Sequence, residues 1–181
     1  MKGVLILECL GGGDPGSEGL FILHMLNLME VPVQYFTVRT KQQLVQGLRS
    51  HQYSIIHVAT HGIEKAGKQK QFAGLWTQAG VLKQADLESL KGRLEGCTVV
   101  CTACRSAVKK FRQAFVKMTK CSHYIAPGRS TSFTSAIYFA HVFYHKHLVL
   151  KRSVEKSYEE YANRYKNPYK FTIESLRSFG S

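Results

Sequence analysis

A histidine and a cysteine stand directly after two apolar segments of this 181-residue chain. His61 ends the segment SIIHVATHG before its glycine, and Cys104 lies 43 positions later, at the end of VVCTAC. Both segments have the continuous apolar character of buried parallel strands. Neighbouring strands lie about 5 Å apart, so adjacency would bring the imidazole and the thiol to one edge of a sheet. A thiolate there can attack a carbonyl carbon while the histidine takes and returns the proton.

The residues around this pair also predict a site that would stabilise the negative charge of the reaction intermediate. Gly62 has no side chain to shield its backbone N–H, and a thiol near the start of a following helix is favoured by the positive end of that helix. The N–H groups of Gly62 and Cys104 can therefore hold the oxyanion of a tetrahedral intermediate. His57, inside the first segment, is predicted to be a hydrogen-bonded core residue. This chemistry needs no metal and no cofactor.

Strand-like and helical segments alternate along the chain. Strands are predicted over 4–9, 33–38, 53–60, 97–103 and 122–126. Helices are predicted over 17–29, 41–49, 84–94, 108–119, 132–147 and 153–165, with a loop over 62–80 that includes a small hairpin at 72–81. This alternation predicts a single α/β domain over residues 1–181, with a mainly parallel sheet covered on both faces. In such folds ligands bind beyond the carboxyl ends of the strands.

Composition indicates a protein without membrane contact. No apolar run approaches the roughly 20 residues that span a bilayer, and the first residues lack the features of a secretory signal. The five cysteines are odd in number and unevenly spread, unlike a disulfide framework. We therefore expect a cytoplasmic protein with reduced thiols. The formal net charge is +13, but the basic residues are scattered and not interleaved with aromatics, so we expect a solvated basic surface and no nucleic-acid site.

Two motifs allow other interpretations. Cys101 and Cys104 form a C-x-x-C pair, which could be a redox dithiol or, with Cys121 and His123, a zinc site, although the spacing matches no standard zinc motif. Residues 11–16 fit the G-x-G-x-x-G pattern of dinucleotide-binding loops. That pattern requires an acid at the end of the second strand, where this chain has TVRT.

The two strand ends, HVATHG and VVCTACRSA, resemble those of the caspase-like cysteine peptidases, most closely their bacterial CHAT branch. Residues 80–87 are similar to the element that precedes the cysteine strand in that branch, and residues 140–144 with 153–154 are similar to a stretch near its end. The resemblance covers roughly residues 3–165. It implies a caspase-like three-layer α-β-α sandwich, with His61 as general base and acid, Cys104 as nucleophile, and the N–H groups of Gly62 and Cys104 as the oxyanion hole.

The resemblance also implies a substrate-binding pocket. Asp14 lies in the loop after the first strand, where caspases carry an arginine and their basic-specific relatives an acid. A carboxylate there favours a cationic partner, so we expect cleavage after Arg or Lys, with Asp14 and Thr102 in the S1 pocket. Relatives often have Gln or an acid at the position of Thr102. The alternative for Asp14 is an exposed turn residue before Pro15.

The same resemblance implies a biological setting. CHAT relatives act in anti-phage or cell-death systems, so the expected substrate is a protein, such as a pore-forming or toxin-like protein encoded nearby, and a separate activator is a further expected partner. Residues 64–70 contain three lysines and are a candidate site of self-cleavage. The alternative function is a caspase-like domain that binds partners without catalysis.

Overall fold

The structure is a computed structural model that describes residues 3–11, 13–50, 52–65 and 71–179. Its strands and helices alternate from the N-terminus, as the sequence predicts. The strands are β1 (Val4–Glu8), β2 (Val33–Thr37), β3 (Ile55–Ala59), β4 (Gly62–Lys65), β5 (Gln71–Thr77), β6 (Gly80–Leu82), β7 (Thr98–Cys101), β8 (His123–Pro127) and β9 (Phe171–Ser175). The α-helices are α1 (Glu18–Leu28), α2 (Lys41–Leu48), α3 (Lys109–Thr119), α4 (Phe133–Tyr144) and α5 (Val154–Arg164).

Six strands of the described chain form one sheet in the order β2-β1-β3-β7-β8-β9. The first five run parallel, and β9 pairs antiparallel with β8. The strand order reverses beside β1, because the chain passes outward to β2 and then returns to β3 on the other side. Crevices for ligands form at such a reversal, beyond the carboxyl ends of the strands. The predicted α/β fold with a mainly parallel sheet is confirmed.

Helices cover both faces of this sheet, and β1 shows how the sequence specifies both cores. Successive side chains of a strand point to opposite faces. Leu5 and Leu7 join the core under α2 and α3, whereas Val4 and Ile6 join the core under α1, α4 and α5. All four side chains are buried. A strand with four consecutive apolar residues, at 4–7, therefore becomes part of the middle layer of an α-β-α sandwich.

Three segments differ from the sequence-based expectations. The hairpin predicted at 72–81 is confirmed as the antiparallel pair β5 and β6, but residues 62–65, predicted as loop, form β4 and add a third antiparallel strand beside β5. The predicted α-helix over 84–94 is a 3-10 helix over Gln84–Leu90. There the Asp86 carboxylate accepts from the Lys83 N–H at 2.7 Å and the Lys41 ammonium at 2.9 Å, which fixes a tight first turn. The α-helix predicted over 132–147 ends at Tyr144, and a π-helical turn over His145–Val149 follows it.

The C-terminal strand β9 lies in the tail to which the sequence assigned no structure. It completes the sheet beside β8, and Phe171 at its start is 1% exposed and stacks on Phe139 of α4 at 3.9 Å between ring centroids. Its sequence, FTIES, lacks a strong strand pattern, so its place depends on that packing. None of the helices in the described part of the chain has the length and apolar character needed to cross a membrane.

Candidate active site

His61 and Cys104 follow two strands that lie side by side. β3 and β7 are parallel neighbours with Val58 opposite Cys101, and the Thr102 N–H extends the pairing by donating to the Val58 carbonyl at 3.0 Å. The predicted adjacency of the two strands is therefore confirmed. Both His61 and Cys104 are half-buried, and both line one pocket at the carboxyl edge of the sheet.

Gly62 brings the two strand exits into contact. A Cβ atom on Gly62 would lie 1.9 Å from the carbonyl oxygen of Cys104 and 3.2 Å from its nitrogen. The backbone of Gly62 thus packs directly against the backbone of Cys104, and only glycine leaves room for this approach. The two predicted oxyanion donors, the N–H groups of Gly62 and Cys104, belong to these touching segments.

The sulfur of Cys104 contacts the loop between β8 and α4. The Thr131 N–H donates to Sγ at 3.3 Å, and Sγ lies 3.5 Å from the Thr131 carbonyl oxygen. No sequence pattern indicated Thr131, because this contact uses backbone atoms and leaves no preference for a residue type.

Arg105, the residue after Cys104, anchors the Cys104 turn on two sides. Arg105 has a left-handed backbone with a φ of 58°, and its N–H donates to the Arg129 carbonyl at 3.2 Å. Its guanidinium forms an ion pair with Glu64 of β4, with Nε 2.8 Å from Oε1. The Cys104 turn is therefore joined both to the β8–α4 loop and to the small antiparallel sheet that begins directly after His61.

The imidazole of His61 is held by a carboxylate and two aromatic rings. Its Nε2 lies 2.6 Å from Oδ1 of Asp14, while the rings of Trp76 and Phe133 meet it edge-on at 5.8 and 6.1 Å between centroids. Oδ2 of Asp14 accepts the Gly11 N–H at 2.5 Å. The Asp14 side chain is only 9% exposed, so it is not the exposed turn residue of the alternative interpretation. It lines the pocket, as expected, but its carboxylate faces His61.

Three carboxylates line the same pocket: Asp14, Glu8 and Glu18. Glu8 is 1% exposed and accepts hydrogen bonds from the Gly19 N–H and the Tyr35 hydroxyl, both at 2.7 Å, and from the Ser17 hydroxyl. Burying a carboxylate is costly unless donors compensate it, and here three do. The sequence did not identify Glu8 or Glu18 as site residues, although an acid that ends an otherwise apolar strand is a signal that could have done so.

The pocket is narrow in this structure. Its cavity volume is about 30 Å³, which is space for only one or two water molecules. Thr102 forms part of its wall, with its hydroxyl donating to the Val58 carbonyl at 3.3 Å. A long basic side chain can enter only if the surrounding loops, which include Leu10 and Ser132, move apart.

His57 belongs to a buried network beneath this site. It is fully buried, with Nδ1 2.7 Å from the Tyr144 hydroxyl and Nε2 3.1 Å from Oε1 of Glu18. Burial raises the pKa of Tyr144 well above its usual value, so its hydroxyl stays protonated. The prediction of a hydrogen-bonded core histidine is confirmed.

Replacing Tyr144 with phenylalanine should lower the free energy of unfolding by about 1–3 kcal/mol, because it leaves a buried ring nitrogen of His57 without a partner. Urea denaturation followed by circular dichroism measures the loss. The control is Tyr138→Phe in the same helix, where the side chain is exposed and a change within about 0.5 kcal/mol is expected. Equal stability of the two variants would contradict the role given to this network.

The five cysteines, all within described segments, differ in environment. Cys104 is half-buried, while the other four are buried. Burial raises the pKa of Cys9 to about 11 and of Cys97 and Cys121 to about 12, and it raises the pKa of Cys101 as well. The zinc interpretation is not supported by this arrangement: among the residues that the structure describes, no group of three or more potential ligands could hold a metal ion.

Brief treatment of the native protein with iodoacetamide near pH 7.5 should modify Cys104 alone. The reactive species is the thiolate, and a thiol with a raised pKa gains thiolate only as the pH approaches that raised value. Peptide mapping by mass spectrometry gives the occupancy at each cysteine. Unfolding in urea is the control and should expose all five cysteines to the reagent. Equal modification of Cys9 and Cys104 in the folded protein would contradict the prediction that Cys104 is the reactive thiol.

Comparison with known proteins supports the fold. No protein-family model matches the chain, and no curated protein matches it significantly in sequence. Among solved structures, it is similar to a secreted C11 cysteine protease from Bacteroides thetaiotaomicron, determined in complex with an irreversible peptide inhibitor. The TM-score is 0.54 at 12% sequence identity.

The match covers 90% of this chain but only 58% of the protease, so this chain spans less than two thirds of that protein. At this identity, the similarity shows the fold alone. The chain has the α/β fold of that protease, with a six-stranded, mainly parallel sheet flanked by helices. Its place in the CHAT branch rests on the motifs alone and remains a prediction.

Proposed function

We propose that this chain is a cysteine endopeptidase in which His61 and Cys104 form the catalytic dyad. One observation carries the proposal: the exits of β3 and β7 touch at Gly62 and Cys104, and His61 and Cys104 line one pocket there. A nucleophile and a base at the carboxyl edge of a parallel sheet are suited to acyl transfer. The caspase-like fold supports the same reaction class by analogy.

The dyad acts in two stages. His61 takes the proton of the Cys104 thiol, and the sulfur attacks the scissile carbonyl carbon to form a tetrahedral intermediate. The N–H groups of Gly62 and Cys104 hold the oxyanion. As the intermediate collapses, the C–N bond breaks and His61 gives its proton to the departing amine, which leaves an acyl group on Cys104. His61 then takes a proton from water, which attacks the thioester and releases the acid and the thiol.

The acidic pocket supports a preference for Arg or Lys at P1. Glu8, Asp14 and Glu18 gather three carboxylates in one cleft, although the chain as a whole has a net charge of +13. A carboxylate with little access to solvent favours a cationic partner, guanidinium above all. Asp14 and Thr102, the two S1 residues implied by the family resemblance, stand in the wall of this cleft. Its small volume means that a substrate must open it.

The biological setting proposed here rests on the resemblance of the motifs to the CHAT branch. On this basis the enzyme acts in the cytoplasm on a partner protein in bacterial anti-phage or cell-death defence, under a separate activator. Self-cleavage over 64–70 would be a further control. Glu64 and Lys65 end β4, and residues 66–70 lie outside the described part of the chain.

A P1-scanning library of fluorogenic peptides tests the proposed activity. The purified protein should cleave after Arg and Lys, and Cys104→Ala should lose all cleavage. The matched control is Cys97→Ala, which removes a buried thiol directly before β7 and should retain activity. Mass spectrometry of the intact proteins reports self-cleavage in the same samples. Two results together would instead support a domain that only binds partners. The wild-type protein would cleave no peptide, and Cys104 would react with electrophiles no faster than an unfolded thiol.

A further inference from the structure

The contact between Asp14 and His61 suggests a role for this carboxylate that the motifs did not indicate. Oδ1 of Asp14 lies 2.6 Å from Nε2 of His61, and Oδ2 accepts the Gly11 N–H at 2.5 Å. Each oxygen of the carboxylate therefore already has a partner. The side chain is 9% exposed, whereas that of His61 is 41% exposed, so the better-fixed member of the pair is the carboxylate.

This geometry specifies which ring nitrogen carries the proton. A carboxylate only accepts hydrogen bonds, so Nε2 must be protonated to donate to Asp14. In neutral imidazole the other nitrogen is then an acceptor, so Nδ1 is the nitrogen that takes the proton from the Cys104 thiol in the proposed mechanism. When it does so, the new imidazolium has the Asp14 negative charge 2.6 Å away, which favours the charged form.

We propose that Asp14 is a positioning residue for the His61 base: it fixes the tautomer and the orientation of the ring and stabilises the imidazolium. The assignment rests on the proposed peptidase function and completes an acid–histidine–cysteine arrangement in this chain. Trp76 and Phe133 restrict the ring from its other sides. Glu8 and Glu18 line the same pocket, so the pocket keeps two carboxylates when Asp14 is replaced.

The Gly11 contact determines how an amide side chain would orient in place of the carboxylate. In Asp14→Asn, the Gly11 N–H still needs an acceptor, so the amide oxygen turns to Gly11 and the amide NH₂ faces His61. That NH₂ donates to Nε2, which must then be unprotonated, and the proton moves to Nδ1. The base required by Cys104 is thereby lost. Asp14→Ala removes the carboxylate but imposes no wrong tautomer.

Asparagine resembles aspartate more closely than alanine does, yet Asp14→Asn should lose more activity than Asp14→Ala. On the best peptide of the library, we expect kcat to fall about 10²-fold for Asp14→Ala, the low end for disturbed acid–base catalysis. For Asp14→Asn we expect a fall of about 10⁴-fold, as found where the tautomer of a catalytic histidine is inverted. KM and the P1 preference should stay unchanged. Glu88→Gln, which removes an exposed carboxylate, is the charge control and should retain activity.

Nitrogen-15 NMR of the His61 ring reads the tautomer without relying on activity. In a Cys104→Ala background, at a pH where the nitrogen-15 shifts show a neutral ring, Nε2 should be protonated when Asp14 is present and unprotonated in the Asp14→Asn variant. An unchanged tautomer in that variant, or cleavage equal to or faster than that of Asp14→Ala, would overturn the proposal. So would a changed P1 preference with unchanged kcat, since that result assigns Asp14 to S1. The expected tautomers together with no cleavage by wild-type protein would overturn the peptidase function instead, while supporting the Asp14–His61 pairing.

Discussion

Replacing His61 with alanine should lower kcat/KM for peptide cleavage by about 10²–10⁴-fold without unfolding the protein. His61 is half-exposed and lies outside the two cores, so its loss leaves the sheet intact. In the proposed mechanism, this variant lacks the group that takes the proton from Cys104 and returns it to the leaving amine. Cleavage of the best Arg or Lys peptide under single-turnover conditions measures the effect on chemistry.

The matched control is His24→Ala, which removes an exposed histidine from α1. We expect wild-type cleavage from this variant and unchanged circular dichroism from both. Cleavage by His61→Ala within a factor of about two of wild type would show that His61 is not the base, whatever the position of its ring.

Replacing Gly62 with alanine should impair both folding and catalysis. The added Cβ would lie 1.9 Å from the Cys104 carbonyl oxygen, and a backbone atom cannot give way as a side chain does. The exits of β3 and β7 must separate, which moves His61 away from Cys104 and disrupts the two oxyanion donors. We expect the free energy of unfolding to fall by about 1–3 kcal/mol and kcat to fall at least 10²-fold, as when one oxyanion donor is lost.

Urea denaturation and peptide cleavage on the same preparation separate the two effects. Gly16→Ala is the control, because a Cβ at Gly16 would meet no atom within 4 Å. Since Gly62 has no positive φ, only the lack of space distinguishes it from an ordinary strand position. Wild-type stability and activity in Gly62→Ala would show that the two exits do not touch in solution.

The sequence was sufficient to predict the five parallel strands of the main sheet, and it indicated that the ends of β3 and β7 lie side by side. Continuous apolar runs such as residues 4–7 are typical of strands buried on both faces of a covered parallel sheet, and the chain supplies the helices that cover it. The polar residues that follow such runs must then emerge at a common edge. The position of His61 and Cys104 at this edge could be predicted because each follows the end of one of these strands.

The remaining features depend on contacts between distant segments. The pairing of Asp14 with His61 joins positions 47 apart, and no local pattern determines which way an aspartate in a glycine-rich loop will face. The Thr131 contact uses backbone atoms, which have the same chemistry in nearly every residue. Strand β9 forms because Phe171 packs on Phe139, a contact that neither segment indicates alone.

The rate at which Cys104 is alkylated tests most directly whether the sulfur and the imidazole act as one unit. We would measure the second-order rate constant for iodoacetamide near pH 6.5 in wild-type protein, His61→Ala and His24→Ala. A histidine that draws the proton from Cys104 maintains thiolate at this pH, so wild type and His24→Ala should react at least about tenfold faster than His61→Ala. Equal rates in all three proteins would mean that His61 does not activate Cys104, and would contradict the catalytic dyad.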